Sequence, residues 1–303
     1  MKTPECTKCS NRPSVYYRRY SGERLCEPCF MESIRDRVQR CISRFEMFNY
    51  DSRIAIAVSG GKDSIGLLHV LYDIEKEWPK TELIAISVDE GIARYRDEAL
   101  ELAERATREL GVEHLTVSFD ELFGISMDDI AKMQTSMTPC SYCGILRRRA
   151  LDQTAKRVEA DRLATGHTLD DMAQSVLLNI FRGDLDRLSN FDPGGRSLEG
   201  FIRRVKPFCE VPERESTLYA YLRGIGFQNL PCPHAGEAMR NDMRRFLNRM
   251  EVDRPGTLFT VYRTGLKLAS ERLDVEKRGV CRLCGEPTTE DVCRVCQIID
   301  ELS

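Results

Sequence analysis

The chain has no apolar run approaching the ~20 residues that a membrane-spanning helix needs, so no membrane span is expected. Its first residues, MKTPECTKCS, have none of the apolar core of a secretory leader, and the expectation is a cytoplasmic protein. There is no excess of basic charge: 45 Lys and Arg stand against 48 Asp and Glu, for a formal charge of -3. Any contact with nucleic acid must therefore come from local basic patches rather than from net charge. The Walker pattern G-x-x-x-x-G-K-[ST] is missing, which excludes the P-loop kind of phosphate site. At 303 residues the chain is long for one domain, and a core domain with appendages is the starting expectation.

What is present in quantity is cysteine, thirteen of them. A reducing cytoplasm disfavours disulfides, and thiols in such number point to metal. Cys6 and Cys9 form one C-x-x-C pair and Cys26 and Cys29 a second. Cys281, Cys284, Cys293 and Cys296 repeat the arrangement at the other end. Four thiolates on two tight turns suit a tetrahedral zinc ion, with rubredoxin-like iron as the lesser alternative. Segments this short hold no core without metal, which predicts a four-cysteine zinc module at each end of the sequence.

Between them, apolar runs alternate with helical patterns. RIAIAV, ELIAISVDEG, VEHLTVSF and DRLATGH read as strands. KDSIGLLHVLYDIEKEW, YRDEALELAERATRELG, GILRRRALDQTAKRVEA and TLDDMAQSVLLNIFRGD read as helices, and FIRRVKPFCEV as a further edge segment. This alternation predicts an α/β fold with a parallel sheet. The expected division is an N-terminal zinc module over 1–30, a linker helix over 31–49 and a nucleotide-binding α/β domain over 50–200. A mainly helical continuation over 201–275 and a second zinc module over 276–303 complete it.

In such a sheet, ligands bind beyond the carboxyl ends of the strands. The hexapeptide SGGKDS, residues 59–64, lies there, between a strand and a helix. Gly60 and Gly61 let backbone approach an anion, the helix offers its N-terminal amides, and Ser59, Lys62 and Ser64 add donors. SGGKDS resembles the PP-loop of the ATP pyrophosphatases. SVDEGIARYRDEALE, PCSYCGILRRRALD, ATGHTLDDMAQSVLLNIFRGD and LPCPHAGEAMR then match, in order, the TtcA/TtuA group of tRNA 2-thiolation enzymes, and the flanking cysteine modules narrow the likeness to the TtuA/NcsA branch. The form DEGI..YRD tilts it towards the archaeal and eukaryotic wobble-uridine thiolases rather than those acting at position 54.

This resemblance implies a PP-loop (adenine nucleotide alpha hydrolase-like) sheet with helices on both faces. ATP and magnesium would bind at Ser59, Gly60, Gly61, Lys62, Asp63, Ser64, Val88, Arg147, Gly166 and Asp171, with Asp171 the essential acid and Lys62, Asp63 and Arg147 in catalytic roles. Arg147 stands where some relatives carry lysine. Cys140, Cys143 and Cys232 match the ligands of a [4Fe-4S] cluster with one open iron. Read from the residues alone, that trio is also compatible with zinc or with a persulfide and a resolving thiol. His234 adds a candidate ligand beside Cys232, against the plainer reading of a histidine that binds nothing. Asp170 and Asp171 at a helix start fit a cap as well as a magnesium site. His167 reads as a packing or hydrogen-bonding residue rather than a base, and Cys41 and Cys209 as buried thiols without a role. Arg147 to Arg149, Arg203/Arg204 and the stretch from Met243 to Lys267, with Phe246, Phe259 and Tyr262, are candidate RNA surfaces.

The activity implied is adenylation of a uridine O2 in tRNA, followed by sulfur transfer to C2 and departure of AMP. The donor would be sulfide or a thiocarboxylated ubiquitin-like carrier, and the enzyme a homodimer. Two other classes compete. An AMP-forming amidotransferase ligase has no use for the three cysteines, and a non-catalytic RNA-binding zinc protein releases no AMP.

Overall fold

The computed structural model describes residues 4–78, 80–196, 200–234, 239–270 and 279–302. In chain order it comprises β1 (Tyr16–Arg18), β2 (Glu23–Leu25), α1 (Glu27–Arg44), β3 (Arg53–Ala57), α2 (Lys62–Glu75), β4 (Glu82–Asp89), α3 (Tyr95–Leu110) and β5 (Glu113–Ser118). Then follow α4 (Phe119–Phe123), α5 (Met127–Ile130), α6 (Pro139–Arg157), β6 (Arg162–Ala164), α7 (Leu169–Arg182), α8 (Leu185–Ser189), β7 (Arg203–Val205) and α9 (Glu213–Leu222). The last elements are α10 (Met239–Asp253), α11 (Thr257–Ser270), β8 (Gly279–Val280), β9 (Pro287–Thr288) and α12 (Arg294–Leu302).

The centre is a five-stranded sheet in the order β5-β4-β3-β6-β7, with every neighbouring pair parallel. From β3 the chain builds outward through β4 and β5, then returns to place β6 and β7 on the other side. This reversal makes the carboxyl ends of β3 and β6 the switch point at which such sheets bind ligands. FIRRVKPFCEV supplies the edge strand β7, paired to β6 with Arg204 opposite Leu163.

Side chains alternate across a strand, and each face of β3 meets its own core. Ile54 and Ile56 pack into a cluster with α1, α2, α7 and the helices after β7, while Ala55 joins Ile86, Val88 and the residues of α4 to α6. The first cluster takes in Cys6 and Cys26, the second Cys281 and Cys293. The two cysteine modules therefore sit on opposite faces of the sheet.

Two boundaries differ from the sequence expectation. The helix placed over 31–49 runs from Glu27 to Arg44, so Cys29 lies in its first turn, with Pro28 among the positions where a missing N–H costs nothing. The helix expected from Gly144 begins at Pro139 and carries Cys140 and Cys143 inside it. The boundary expected at residue 275 and the AGEA stretch at 235–238 lie outside the described residues.

The N-terminal module is tied to the body through Glu215, whose side chain is fully buried. Arg18 donates to both of its carboxylate oxygens, at 3.0 and 2.9 Å, Arg37 at 3.1 Å and Tyr20 at 2.6 Å. Removing one partner of a buried pair leaves an uncompensated charge, so Arg18→Ala is expected to cost about 3 kcal/mol. A urea midpoint unchanged by that substitution would contradict this reading of the anchor.

Candidate active site and metal centres

The PP-loop is shaped by its own glycines and hydrogen bonds. After β3 the chain turns at Gly60, with φ +84°, and α2 begins at Lys62 with Gly61 as N-cap. A Cβ at Gly60 would lie 2.3 Å from the Ala99 carbonyl oxygen, so only glycine allows the turn to pack on α3. Within the loop, the Ser59 amide donates to the Ser64 hydroxyl at 3.0 Å and that hydroxyl donates to the Gly61 carbonyl at 2.9 Å. The first N–H groups of α2 have no helical partner and form an anion site.

Lys62 reaches Asp63 at 2.7 Å and Glu213 at 3.0 Å. Burial alone would lower its pKa, but the two carboxylates raise it and hold the ammonium charged. Burial pushes Asp63 upward against the pull of Lys62, and the Ser216 hydroxyl donates to its carboxylate. Gly166, after β6, closes the cradle: a Cβ there would lie 2.9 Å from the Asp63 carbonyl.

The two acids of α7 have different roles. Asp171 forms a capping box with Thr168, accepting from the Thr168 amide at 3.0 Å and its hydroxyl at 2.9 Å. Asp170 is buried, accepts from the Glu213 amide at 2.7 Å, and is pushed up to about 6 by that burial. His167 shares a hydrogen bond of 2.9 Å with the Thr165 hydroxyl. Desolvation brings its pKa down to about 4, with Asp171 opposing and Lys206, Arg240 and Arg204 adding to the shift, so the ring is neutral.

Cys140 lies in the first turn of α6, where its thiol donates to the His234 carbonyl at 3.5 Å and so meets the segment that carries Cys232. Cys143 is one turn further, buried, and close enough to Cys232 to feel its charge. Burial raises the Cys143 thiol, opposed by Arg147, which donates to its sulfur at 2.9 Å. His234 is occupied elsewhere, with Nε2 2.7 Å from Asp128.

A continuous line of contacts joins this trio to the PP-loop. Arg147 pairs with Glu90 at 2.7 Å, Glu90 pairs with Arg96 at 2.7 Å, and Arg96 donates to the carbonyls of Ser59, at 2.9 Å, and Val88. Burial would lower the Arg147 pKa, but Glu90 and Cys143 raise it and keep the guanidinium charged. Arg147 thus points towards sulfur and Glu90, and the Val88 carbonyl is taken by Arg96.

Glu90, Arg96, Glu213 and Ser216 were not among the candidates read from the sequence. Glu90 and Arg96 fall inside the DEGIARYRD motif, which was the available signal. Nothing local marks Glu213 or Ser216, since their partners lie 151 and 153 residues away.

Each terminal quartet brings its four sulfurs within 4.8 Å of one another, with Cys9 3.7 Å from Cys26 and Cys284 3.6 Å from Cys293. Bonds of about 2.3 Å to a tetrahedral zinc ion require sulfurs roughly 3.8 Å apart, so both groups fit. Burial would raise Cys6, but the amides of Cys26, Cys9 and Lys8 bring it down to about 6, whereas burial and its neighbouring thiols push Cys29 up to about 12. At the other end the Cys293 amide leads in bringing Cys281 down to about 6, and burial pushes Cys296 up. A dication held among four such sulfurs shares its charge over all of them and keeps each one a thiolate. Among the described residues these quartets are the groups gathered this tightly, and Cys140, Cys143 and Cys232 are not. The trio is too open for one tetrahedral ion. It suits a wider cluster, with the α6 N-terminus and Arg147 to offset negative charge.

The basic patches separate in the fold. Arg147 faces Glu90, whereas Arg149 turns to Glu286 and the Cys293 sulfur. Arg203 holds the carbonyls of Gly194 and Gly195. Tyr262 is fully buried and Phe259 packs at a tilt against Tyr20, with ring centroids 4.9 Å apart, so neither is a platform for bases, whereas Phe246 on α10 is exposed.

The PP-loop domain family matches residues 32–251, the N-terminal LIM domain of the 2-thiouridine synthetase TtuA matches 5–31, and a family described as cytoplasmic tRNA 2-thiolation protein 2 matches 239–300. The tRNA 2-thiolation protein NcsA of Haloferax volcanii is 37% identical, over 98% of this chain and 99% of the relative. Cytoplasmic tRNA 2-thiolation protein 1 of Oryza sativa is 34% identical, over 98% and 83%. Among solved structures, the U34-tRNA thiolase NcsA from Methanococcus maripaludis with its [4Fe-4S] cluster superimposes with a TM-score of 0.87 at 32% identity, covering 98% of this chain and 96% of that one. A sheet with its PP-loop at the switch point, two four-cysteine modules on opposite faces and near full-length similarity agree: the chain belongs to the PP-loop family of tRNA 2-thiolation proteins.

Proposed function

We propose that the chain is an ATP-dependent tRNA 2-thiolation enzyme acting on wobble uridine 34. The observation that carries this is the contact line from Ser59 through Arg96, Glu90 and Arg147 to Cys143, which couples a phosphate cradle to a thiol trio. The U34 thiolase likeness supports the position.

In this reading the loop 59–64 and the α2 N-terminus take the ATP phosphates, and Lys62 exchanges its carboxylate partners for phosphate oxygens. Asp63 and Asp171 would hold magnesium, and adenine would rest against the end of β4 near Val88. The uridine O2 attacks the α-phosphorus, pyrophosphate leaves, and O2 becomes part of a good leaving group. Cys140, Cys143 and Cys232 would hold a [4Fe-4S] cluster, which when bound would supply a site for the sulfur to be transferred. Sulfur adds at C2, AMP departs, and no electron is gained or lost overall when the donor is sulfide. Arg147 holds Cys143 and its charge beside the site, and neutral His167 lines it.

The chain works in the cytoplasm as a homodimer, with sulfide or a thiocarboxylated carrier as donor. No helix among the described residues is long and apolar enough to cross a membrane. Incubation of the anaerobically prepared protein with ATP, tRNA and sulfide should release AMP and pyrophosphate, with tRNA required. Equal AMP release without tRNA would sink the assignment.

The two quartets carry zinc. The purified chain is expected to hold two zinc ions, and Cys281→Ser to reduce this to one while leaving iron in place. Elemental analysis checks this, and loss of both zinc ions from that single change would contradict two independent modules.

A further inference from the structure

A groove of about 580 Å³ opens between α6, α8, the segment around β7 and α12 of the C-terminal module. Six cations line it: Arg148, Arg149, Arg187, Arg196, Arg204 and Lys206. Two carboxylates line the groove with them, Asp152 and Asp192. Both are engaged, Asp152 with Lys156 at 3.1 Å and the groove's own Arg204 at 3.9 Å, and Asp192 with the Gly194 amide at 2.8 Å. Arg149 is spent on Glu286, Arg187 pairs with Asp184 at 3.2 Å, and Arg196 and Arg204 donate to the carbonyls of Ser189 and Arg148. For Arg148 and Lys206 the structure records no carboxylate within salt-bridge distance among the described residues.

Cations gathered this way repel one another. The surrounding protein lowers the pKa of Arg148, and Arg187 and Arg147 lower it further. Burial lowers Lys206, with Cys209 and Asp192 opposing and Arg204 adding to the shift. A polyanion laid along the groove relieves both costs. Ile145, Phe201, Ile202 and Val295 give the same groove an apolar wall, which suits ribose and base edges better than a small free anion.

Its position matters as much as its charge. Lys206 follows the carboxyl end of β7, and the Thr165 amide donates to the Val205 carbonyl at 3.0 Å, so the groove meets the loop that carries Gly166 and His167. Lys206 and Arg204 both act on the charge of His167. RNA lying in the groove would run from the C-terminal metal module to the edge of the nucleotide cradle.

We propose that this groove binds the RNA phosphate backbone next to the nucleotide being modified, with Arg148 and Lys206 as its free phosphate contacts. The proposal rests on the tRNA-thiolation reading and adds where the substrate is gripped. The run Arg147–Arg149 is then three residues with three fates, of which the middle one meets RNA.

The test measures binding of an unmodified tRNA transcript across a range of salt, for the parent and for an Arg148→Ala/Lys206→Ala double variant. Each lost phosphate contact removes about 0.7 to 0.9 from the slope of log K against log salt, so the double variant should lose about 1.5 and bind on the order of tenfold more weakly at ~0.1 M salt. Zinc content and ATP affinity should be unchanged, since neither residue touches those sites. Arg148→Ala alone, an exposed change on α6, should lower the slope by about half as much and keeps the test decisive if the double variant fails to fold. A parent that binds tRNA beside variants with its slope and affinity overturns the groove alone. A parent that binds no tRNA overturns both the groove and the thiolation reading.

Discussion

Serine in place of Cys140, Cys143 or Cys232 should take iron and tRNA thiolation away together. Each substitution removes one thiolate from one unit, so each single change is expected to lower turnover on the order of a hundredfold or more. The geometry says why the three behave alike. Cys140 and Cys143 are held on one turn of α6, and the Cys140 contact with His234 fixes the segment carrying Cys232 against them. ATP binding should survive, because the PP-loop lies on a different turn and is held by its own hydrogen bonds. His234→Ala should keep its iron, since Nε2 is already given to Asp128. Iron lost on that change would mean a histidine-capped fourth iron and a closed site. If the trio instead works through a persulfide, the parent will contain no iron and will depend on a reductant that reopens the disulfide. Anaerobic iron and acid-labile sulfide measurements on the four variants separate these outcomes.

Lys62→Ala should abolish AMP formation while leaving iron and zinc in place. Lys62 is the cation at the mouth of the PP-loop, kept protonated by Asp63 and Glu213 until phosphate takes their place. Its charge meets negative charge that grows at the transferred phosphorus, and removal of such a group costs about 3–4 kcal/mol, a factor of 10² to 10³. The substitution also leaves two carboxylates facing the polyphosphate. Glu213 keeps Arg244 at 2.8 Å, but Asp63 keeps only the Ser216 hydroxyl. ATP affinity should therefore fall together with turnover. Normal AMP release from Lys62→Ala with tRNA would overturn the PP-loop assignment.

Much of this site is legible in one dimension because its parts are local. SGGKDS follows an apolar run and precedes a helical pattern, and the structure places it at the carboxyl end of β3. Each terminal quartet is two C-x-x-C turns, a spacing that suits a tetrahedral metal site. What escapes the sequence is whatever depends on distant residues or on competition between local signals. The α6 start is masked because Pro139 and the cysteines read as a loop, whereas proline at the first helical turn is a helix starter. Asp171 reads first as a magnesium and nucleotide ligand, with a cap as the lesser alternative, and the Thr168 contact shows it in the cap. Arg147, Arg148 and Arg149 form one basic run in the sequence, but a helix turns successive residues about 100° apart and gives them different partners. Glu215 meets Arg18 across 197 residues, a distance no periodicity spans.

The most direct measurement is nucleoside mass spectrometry of tRNA after incubation with the anaerobically reconstituted protein, ATP, magnesium and sulfide. The expected product is 2-thiouridine at position 34, formed in step with AMP and absent without ATP. Unmodified uridine at that position from iron-loaded, zinc-loaded protein that still binds tRNA and ATP would contradict the thiolation reading.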